Sequence, residues 1–311
     1  MRAATGRLNR NASATRVITK QHTALALVLF VLAAGAGRAA PQQQSRQLWD
    51  TEFVSPSQPQ KAPASKTSAP KPTKPRYKAN AETPEPLKQT DAFVGITIWR
   101  LRPAQAGDEA TLSDDGKQLT PQRVESQTAL REGDQVRLTI ESPKEGHLYV
   151  IDREQYADDS MSEPYLIFPA RRIRGGDNTV KAGRIIEIPD QSDNPPYFTL
   201  RRSKPGQTAE LISVVISPTP LAGVKIGPEA SRGALKLSEQ QVAEWESNWN
   251  GQAERFELEE GAGKPWTKAE QQAGLGTRLL VQEEPMPQTL YRVPSATGEP
   301  YLVKVPLLIV E

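Results

Sequence analysis

Residues 131–155 read REGDQVRLTIESPKEGHLYVIDREQ, and this stretch decides the fold class. Val136, Leu138 and Ile140 alternate with polar neighbours, so one face of an extended strand turns inward and the other meets water. The following SPKEG contains a proline and Gly146, which supply the fixed φ and the permissive backbone that a tight reversal needs. Because the apolar run HLYVID follows at once, we predict an antiparallel hairpin.

Short apolar runs separated by turn residues extend on both sides of this hairpin. The spacers between them are too short for the crossover helices that a parallel sheet requires. The pattern is typical of an all-β or mostly β fold, and we predict an antiparallel β-sandwich of the Ig-like or jelly-roll-like kind. The further strand candidates are residues 93–101, 165–168, 183–188, 197–200, 211–216, 288–293 and 301–310.

One amphipathic helix is predicted near residues 238–256. Ser238 suits the N-cap position, and Gln241 three residues later resembles a capping box. Its acidic polar face favours packing on a sheet of the same domain, with a partner groove or a membrane surface as the alternatives. The apolar stripe of this helix consists of Val242, Trp245, Trp249 and Phe256.

The first 40 residues have the composition of an export signal. Basic residues precede an uncharged run of 14 residues, Thr23 to Ala36, whereas a membrane-spanning helix needs about 20. Small residues follow, so we predict a signal peptide at 1–40, cleaved between Ala36 and Ala40, and an exported protein in the periplasm or outside the cell. An uncleaved membrane anchor at 23–36 and a buried core helix are the alternatives.

Residues 41–91 are rich in Pro, Lys and Ser and poor in apolar residues, which predicts a disordered linker. The folded β-rich domain is then expected at 92–311. Residues 1–40 hold six basic and no acidic residues, and residues 41–92 hold eight basic and five acidic. Since the whole chain has a formal charge of +2, the part from Phe93 onward carries −7. The basic character therefore belongs to the signal and the tether.

The side chains of enzyme sites are scarce. The chain has no Cys and two His, His22 and His147, which excludes a disulfide framework, a Cys-ligated zinc and a thiol nucleophile. Phosphate-loop, nucleophile-elbow, zinc-protease and dinucleotide fingerprints are absent from the sequence. We therefore predict no catalytic, cofactor-binding or metal-ligating residue and no cofactor, and we interpret His147 as an ordinary edge histidine.

Two charged features remain as candidates. The acidic segment Asp152 to Glu163 has too irregular a spacing for an EF-hand, so a solvated loop is expected and calcium binding is left open. Two basic clusters would form an anion-binding rim if both lay at one end of the sandwich. They are Arg171, Arg172 and Arg174, and Arg201, Arg202 and Lys204.

A family resemblance rests on a set of spaced motifs. They are Gly133 and Asp134; Gly146 with Leu148, Tyr149 and Val150; Ile167 to Pro169; Ala182 to Arg184 with Pro189; and Gly206 with Glu210. This set resembles the bacterial domain of unknown function number 4384 family (DUF4384) over about residues 131–217. The resemblance implies a small β-rich domain with no assigned activity.

These observations favour a non-enzymatic, exported interaction module of the bacterial cell envelope, tethered by its linker. Its expected partner is an unidentified envelope protein or polymer and not nucleic acid, with membrane contact only through an uncleaved signal segment. The alternative is a carboxylate-dependent hydrolase of envelope glycans, because Asp and Glu suffice for glycoside chemistry. A cleft with two inward carboxylates would favour the hydrolase, and a filled core would favour the binding module.

Overall fold

The fold is organised around one long strand, β2. The computed structural model describes residues 75–80, 88, 91–224, 234–281 and 284–310. The predicted signal peptide and most of the predicted linker lie outside the described residues. The strands are β1 (Tyr77–Ala79), β2 (Asp91–Pro103), β3 (Leu112–Asp114), β4 (Lys117–Val124), β5 (Leu130–Arg131), β6 (Gln135–Glu141), β7 (Gly146–Tyr156), β8 (Tyr165–Phe168), β9 (Thr179–Val180), β10 (Ile185–Ile188), β11 (Phe198–Thr199), β12 (Gln207–Ser217), β13 (Leu235–Lys236), β14 (Glu254–Leu258), β15 (Thr289–Pro294) and β16 (Tyr301–Val310). The helices are α1 (Glu239–Trp249) and α2 (Lys268–Gly274).

The first sheet, called sheet A here, branches from β2. One edge of β2 pairs with β6, which continues to β10 and β11. The other edge pairs first with β15 and then with β4, so β15, β14 and β1 extend the sheet at one end and β4 and β3 extend it at the other. Every strand pair in sheet A is antiparallel.

The second sheet, sheet B, has the order β13-β8-β7-β12-β16-β5, with β9 also paired to β7. Its pairs are antiparallel except the short parallel pair of β16 with β5. The predicted class, a mostly β protein with antiparallel sheets stacked as a sandwich, is confirmed. Among the described residues, no helix is long and apolar enough to cross a membrane.

The predicted hairpin between β6 and β7 is wrong. β6 belongs to sheet A and β7 to sheet B, so the SPKEG turn carries the chain from one sheet to the other. Sequence alternation shows which face of a strand is buried but not which strand pairs with it, and facing sheets lie only about 10 Å apart. At Gly146 the backbone passes so close to Ser217 that a Cβ would lie 2.5 Å from its carbonyl oxygen.

The core between the sheets is filled by the inward residues of both. β2 contributes Val94, Ile96 and Ile98 from sheet A, and sheet B contributes residues such as Val150 and Val214. Each of these five is exposed by 2% or less, so no solvent space remains among them. A filled core of this kind was the feature expected of a binding module.

Helix α1 covers the outer face of sheet B. Val242 and Trp245 pack there in one cluster with Tyr149 and Leu302. The predicted start of the helix is confirmed, because the Ser238 side chain accepts a hydrogen bond from the Gln241 backbone N–H.

The predicted helix end at Phe256 is wrong. The helix ends at Trp249, where the sequence continues with Asn-Gly, a pair that favours turns. Phe256 lies in β14 and packs in a different cluster, with Phe93 and Leu290.

Helix α2 and the strands β1, β3, β4, β5, β9, β13 and β14 were not predicted. Helix α2 begins with a capping box between Thr267 and Glu270, a sequence signal that could have revealed it. Strand β1 pairs with β14 and lies within the stretch expected to be linker, because Tyr77 and Ala79 pack against the Phe256 cluster. The domain therefore includes residues before position 92.

One buried ion pair attaches α2 to sheet A, and a second lies within the sheet, between β6 and β10, next to the loop before α2. Arg123 pairs with Glu270 of α2, and Arg137 pairs with Glu187 at 2.9 Å, with all four side chains exposed by 3% or less. The Arg137 guanidinium also lies 5.1 Å from the centre of the Trp266 ring. These contacts replace part of the water that the buried charges lose on folding, since Nε and Nη1 of Arg137 have no hydrogen-bond partner among the described residues.

We expect the substitution Arg137→Met to lower the free energy of unfolding by about 3–5 kcal/mol, because it leaves the Glu187 carboxylate buried without its partner. Urea denaturation measures this loss. The double variant Arg137→Met/Glu187→Gln should recover most of it. As a control, Lys236→Met breaks the exposed pair with Glu163 and should leave the free energy of unfolding nearly unchanged, because solvent screens that pair. Equal losses from the two single variants would contradict a stabilising role for the buried pair.

Candidate functional site

Two carboxyl groups whose pKa is strongly raised by their surroundings lie together near the end of β7 and the start of β12. Asp152 and Glu154 continue the inward alternation of Leu148 and Val150 along β7. Glu210 of β12 lies directly opposite Glu154, and Ile212 lies opposite Asp152. The three half-buried carboxyls, called the carboxyl cluster here, therefore share one face of sheet B.

Burial raises the pKa of Asp152 to about 6 and that of Glu210 to about 8. The negative charge of Asp152 raises the pKa of Glu210 further, as does the hydrogen bond between the two carboxyls. Among the described residues, Oδ1 of Asp152 and Oε2 of Glu210 have no other hydrogen-bond partner. A proton held between the two carboxyls satisfies both oxygens and relieves their repulsion.

The third carboxyl and a neighbouring amide complete the cluster. Glu154 accepts hydrogen bonds from the Tyr156 hydroxyl and, at 2.6 Å, from the Ser203 hydroxyl. Gln207 donates to Oε1 of Glu210 at 2.8 Å. In the carboxyl cluster, Glu154 accepts hydrogen bonds from neutral donors, whereas Asp152 and Glu210 share a proton. This difference between carboxyls suits acid–base chemistry where a substrate has access.

A cleft of 430 Å³ lies beside the cluster, between the β7–β8 turn and the turn before β12. Lys204 lies over the Tyr156 ring, 5.9 Å from its centre. The lining includes Tyr156, Asp158, Ser160, Lys204 and Gly206, but neither Asp152 nor Glu210. The proton-sharing pair therefore lies behind the cleft and not on its wall.

The acidic segment Asp152 to Glu163, predicted to be a solvated loop, is divided by the structure. Asp152 and Glu154 belong to β7, whereas Asp158 accepts hydrogen bonds from the Ser160 backbone and side chain. Glu163 pairs with Lys236. Within the described ranges, no group of three or more His, Asp or Glu side chains is arranged to hold a metal ion.

His147 stands at the start of β7, half-buried, with its Nδ1 atom 3.4 Å from Oδ1 of Asn178. His147 pairs with Thr179 of β9 on one side and with Ser217 of β12 on the other, so it lies at a strand start but not on an edge strand. The carboxyl cluster lies toward the other end of the strand.

The two basic clusters do not form one rim. Val180, shortly after Arg174, pairs with Gly146 at the start of β7, whereas Gln207, shortly after Lys204, pairs with Tyr156 at its end. An 11-residue strand is roughly 33 Å long, so the clusters lie at opposite ends of sheet B.

The carboxyl pair predicts that the protein loses stability as the pH rises. A raised pKa means that the folded state holds a proton more tightly than the unfolded chain, so this contribution is complete below about pH 4 and is lost as the pH rises through about 6 and about 8. Urea unfolding between about pH 5 and about pH 9 should show this decline, and Glu210→Gln should flatten it.

A matched control for that measurement is Asp159→Asn, which removes an exposed carboxylate from the neighbouring turn and should leave the slope unchanged. A slope that is the same in Glu210→Gln and in the unaltered protein would rule out the shared proton.

Comparison with known proteins finds a match over one part of the chain, residues 129–220. Neither the curated proteins nor the solved structures contain a match. The matched part of the chain, which extends from before β5 to after β12, contains the carboxyl cluster and both basic clusters. Over residues 129–220, under a third of its length, the chain matches the family described as Domain of unknown function (DUF4384), which confirms the resemblance found in the sequence.

Proposed function

We propose that this protein is an exported, non-enzymatic interaction module of the bacterial cell envelope that binds an acidic glycan. The observation that carries the proposal is the surface formed by residues 171–184, called the basic loop here. Five exposed cations share this loop with one acidic residue, Asp177. They are Arg171, Arg172, Arg174, Lys181 and Arg184.

The basic loop is held by its own apolar residues. Ile173 is fully buried in the main core, and Val180 is buried where β9 pairs with β7. The flanking Arg172 and Arg174 must therefore point outward. Charges fixed in place on a rigid loop lose less entropy on binding than charges on a flexible tail.

Part of this charge is not neutralised within the domain. Arg174 lies 3.7 Å from Asp177, and Arg172 acts on the carboxyl of Asp193. Arg171, Lys181 and Arg184 have no carboxylate within 4.0 Å in the part of the chain that the structure describes. Lys181 acts on the Asp177 carboxyl together with Arg174, so among the described residues Arg171 and Arg184 are the uncompensated cations of this loop, and such cations suit a polymer with repeated carboxylates.

The net charge of the whole domain limits the distance over which the basic loop would attract a polyanion. Because residues 93–311 carry −7, the long-range field repels a polyanion, and attraction is confined to about a Debye length, 8 Å at physiological salt. Binding should then be short-ranged and sensitive to salt. This restricts the partner to one that contacts the basic loop directly.

The hydrolase is the second candidate, and the carboxyl cluster is the observation that favours it. Its raised pKa values resemble those that acid–base catalysts need. The position of Asp152 and Glu210 behind the cleft wall, facing the core, favours the binding module instead.

We expect Arg171→Gln/Arg184→Gln to weaken binding to sodium polygalacturonate roughly tenfold, equivalent to about 1.4 kcal/mol, and to reduce its salt dependence. Titration calorimetry at low and physiological salt measures both effects. Arg201→Gln/Lys204→Gln removes the same charge from the other end of sheet B and should change affinity less than about twofold.

Equal weakening by the two double variants would refute the assignment to the basic loop. Release of reducing sugar ends from the polymer, abolished by Glu210→Gln, would replace the binding module with the hydrolase.

Export is a separate part of the proposal and is supported by the composition of residues 1–40. In a bacterial host, we expect the protein outside the cytoplasm with a mature N-terminus between Gly37 and Pro41. Fractionation followed by mass spectrometry of the N-terminal peptide measures this. An intact Met1 on a cytoplasmic protein would contradict export.

A further inference from the structure

A second surface lies away from the basic loop, where the end of α1 meets the loop between β15 and β16. This cleft of 340 Å³, called the Trp249 groove here, contains an aromatic ring between prolines and a polar rim. Its main lining residues are Trp249, Pro294, Pro300, Gly251, Asn248 and Glu299.

The groove is preformed. Trp249 stacks on Trp245 with 5.6 Å between ring centres, and Trp245 is itself buried against sheet B. Gly251 allows the chain to pass beside β15, because a Cβ there would lie 3.1 Å from the carbonyl oxygen of Pro294. The indole face of Trp249 is therefore fixed in place while part of it remains exposed.

The chemistry of the groove fits a proline-rich peptide with a basic residue. Polyproline II segments bind aromatic-lined grooves because they are already extended and lose little entropy. The Glu299 side chain is exposed and forms no ion pair with another described residue, so it can accept a cation.

This chain carries such a peptide before its first strand. Residues 54–66 read VSPSQPQKAPASK and contain three prolines, two lysines and no acidic residue. Pro56, Pro59 and Lys61 form the pattern Pro-x-x-Pro-x-Lys. Because polyproline II has three residues per turn, Pro56 and Pro59 share one face of it.

The peptide can reach the groove within one molecule. Strand β1 runs antiparallel to β14 with Tyr77 opposite Leu258, so the preceding chain leaves at the end of β14 farther from Gly251. Seven residues separate Leu258 from Gly251, about 23 Å when extended. Pro75 and Arg76 continue past Leu258 and add about 7 Å, whereas residues 62–74 span about 40 Å as polyproline II, enough to return Lys61 to the groove.

We propose that residues 54–66 bind in the Trp249 groove of the same molecule, with Pro56 and Pro59 against the indole and Lys61 at Glu299. The local concentration provided by the short connection favours this contact over binding in a second copy. The contact would fold the tether back on the domain that it carries, a property separate from glycan binding.

Photo-crosslinking of the full chain tests this contact. The chain has no cysteine, so Ser57→Cys places a single benzophenone label between the two prolines. We expect crosslinks to residues 248–251 and 294–300, and a yield that falls roughly fivefold or more in Pro56→Ala/Pro59→Ala. The matched control Pro70→Ala/Pro72→Ala removes two prolines from the returning stretch and should keep most of the yield.

Variants of the groove complete the test. Trp249→Ala should lower the yield as strongly as the proline variant, and Trp249→Phe should retain most of it, with urea denaturation verifying that both variants fold. Crosslinks scattered over the domain, or a yield unaffected by Trp249→Ala in folded protein, would overturn the proposal. In a one-to-one mixture with nitrogen-15-labelled chain, mixed-mass crosslinks as frequent as same-mass crosslinks would overturn binding within one molecule.

Discussion

The burial of β2 on both faces is the constraint on which the other layers depend. Residues 91–99 are all buried, so each face of sheet A must be covered along this strand. One face packs on sheet B through Val94, Ile96 and Ile98. The other face carries Thr97 and Trp99, and Trp99 needs a cover that its neighbours in the sheet cannot supply. Trp266 and helix α2 provide that cover.

Polar contacts fix the position of this covering layer on sheet A. A layer held only by apolar contacts could slide, whereas Arg123 pairs with Glu270 of α2 and Arg137 lies against the Trp266 ring. A shifted register would leave a buried charge unpaired. Trp99 also donates a hydrogen bond to Thr139 at 3.1 Å, which links β2 to β6 on the same face.

Alternation predicted the sandwich and most of its longer strands, but not their pairing. β6 and β7 both show alternating apolar residues, and their partners β2 and β12 are distant in sequence, so no local signal distinguished a hairpin from a crossing between sheets. The start of α1 was readable because capping is local. Its end was misjudged because Phe256 continued the helical period only after the turn at Asn-Gly.

The carboxyl cluster shows the same limit. Asp152 and Glu154 could have been placed on the inward face by continuing the alternation of Leu148 and Val150. In the sequence, Glu210 stands out only as part of the family motif, because its contact with Asp152 depends on the pairing of β7 with β12. Chemistry that arises between strands cannot be read from the spacing within either one.

Docking of residues 54–66 in the Trp249 groove would also limit how far the start of the linker, at residue 41, can lie from the domain. As extended polyproline II, residues 41–74 span about 105 Å, whereas residues 41–53 span about 40 Å. Docking at the Trp249 groove would thus shorten the reach by more than half while leaving the basic loop free. Glycan binding at the basic loop would therefore not depend on docking, because the basic loop and the Trp249 groove share no lining residue.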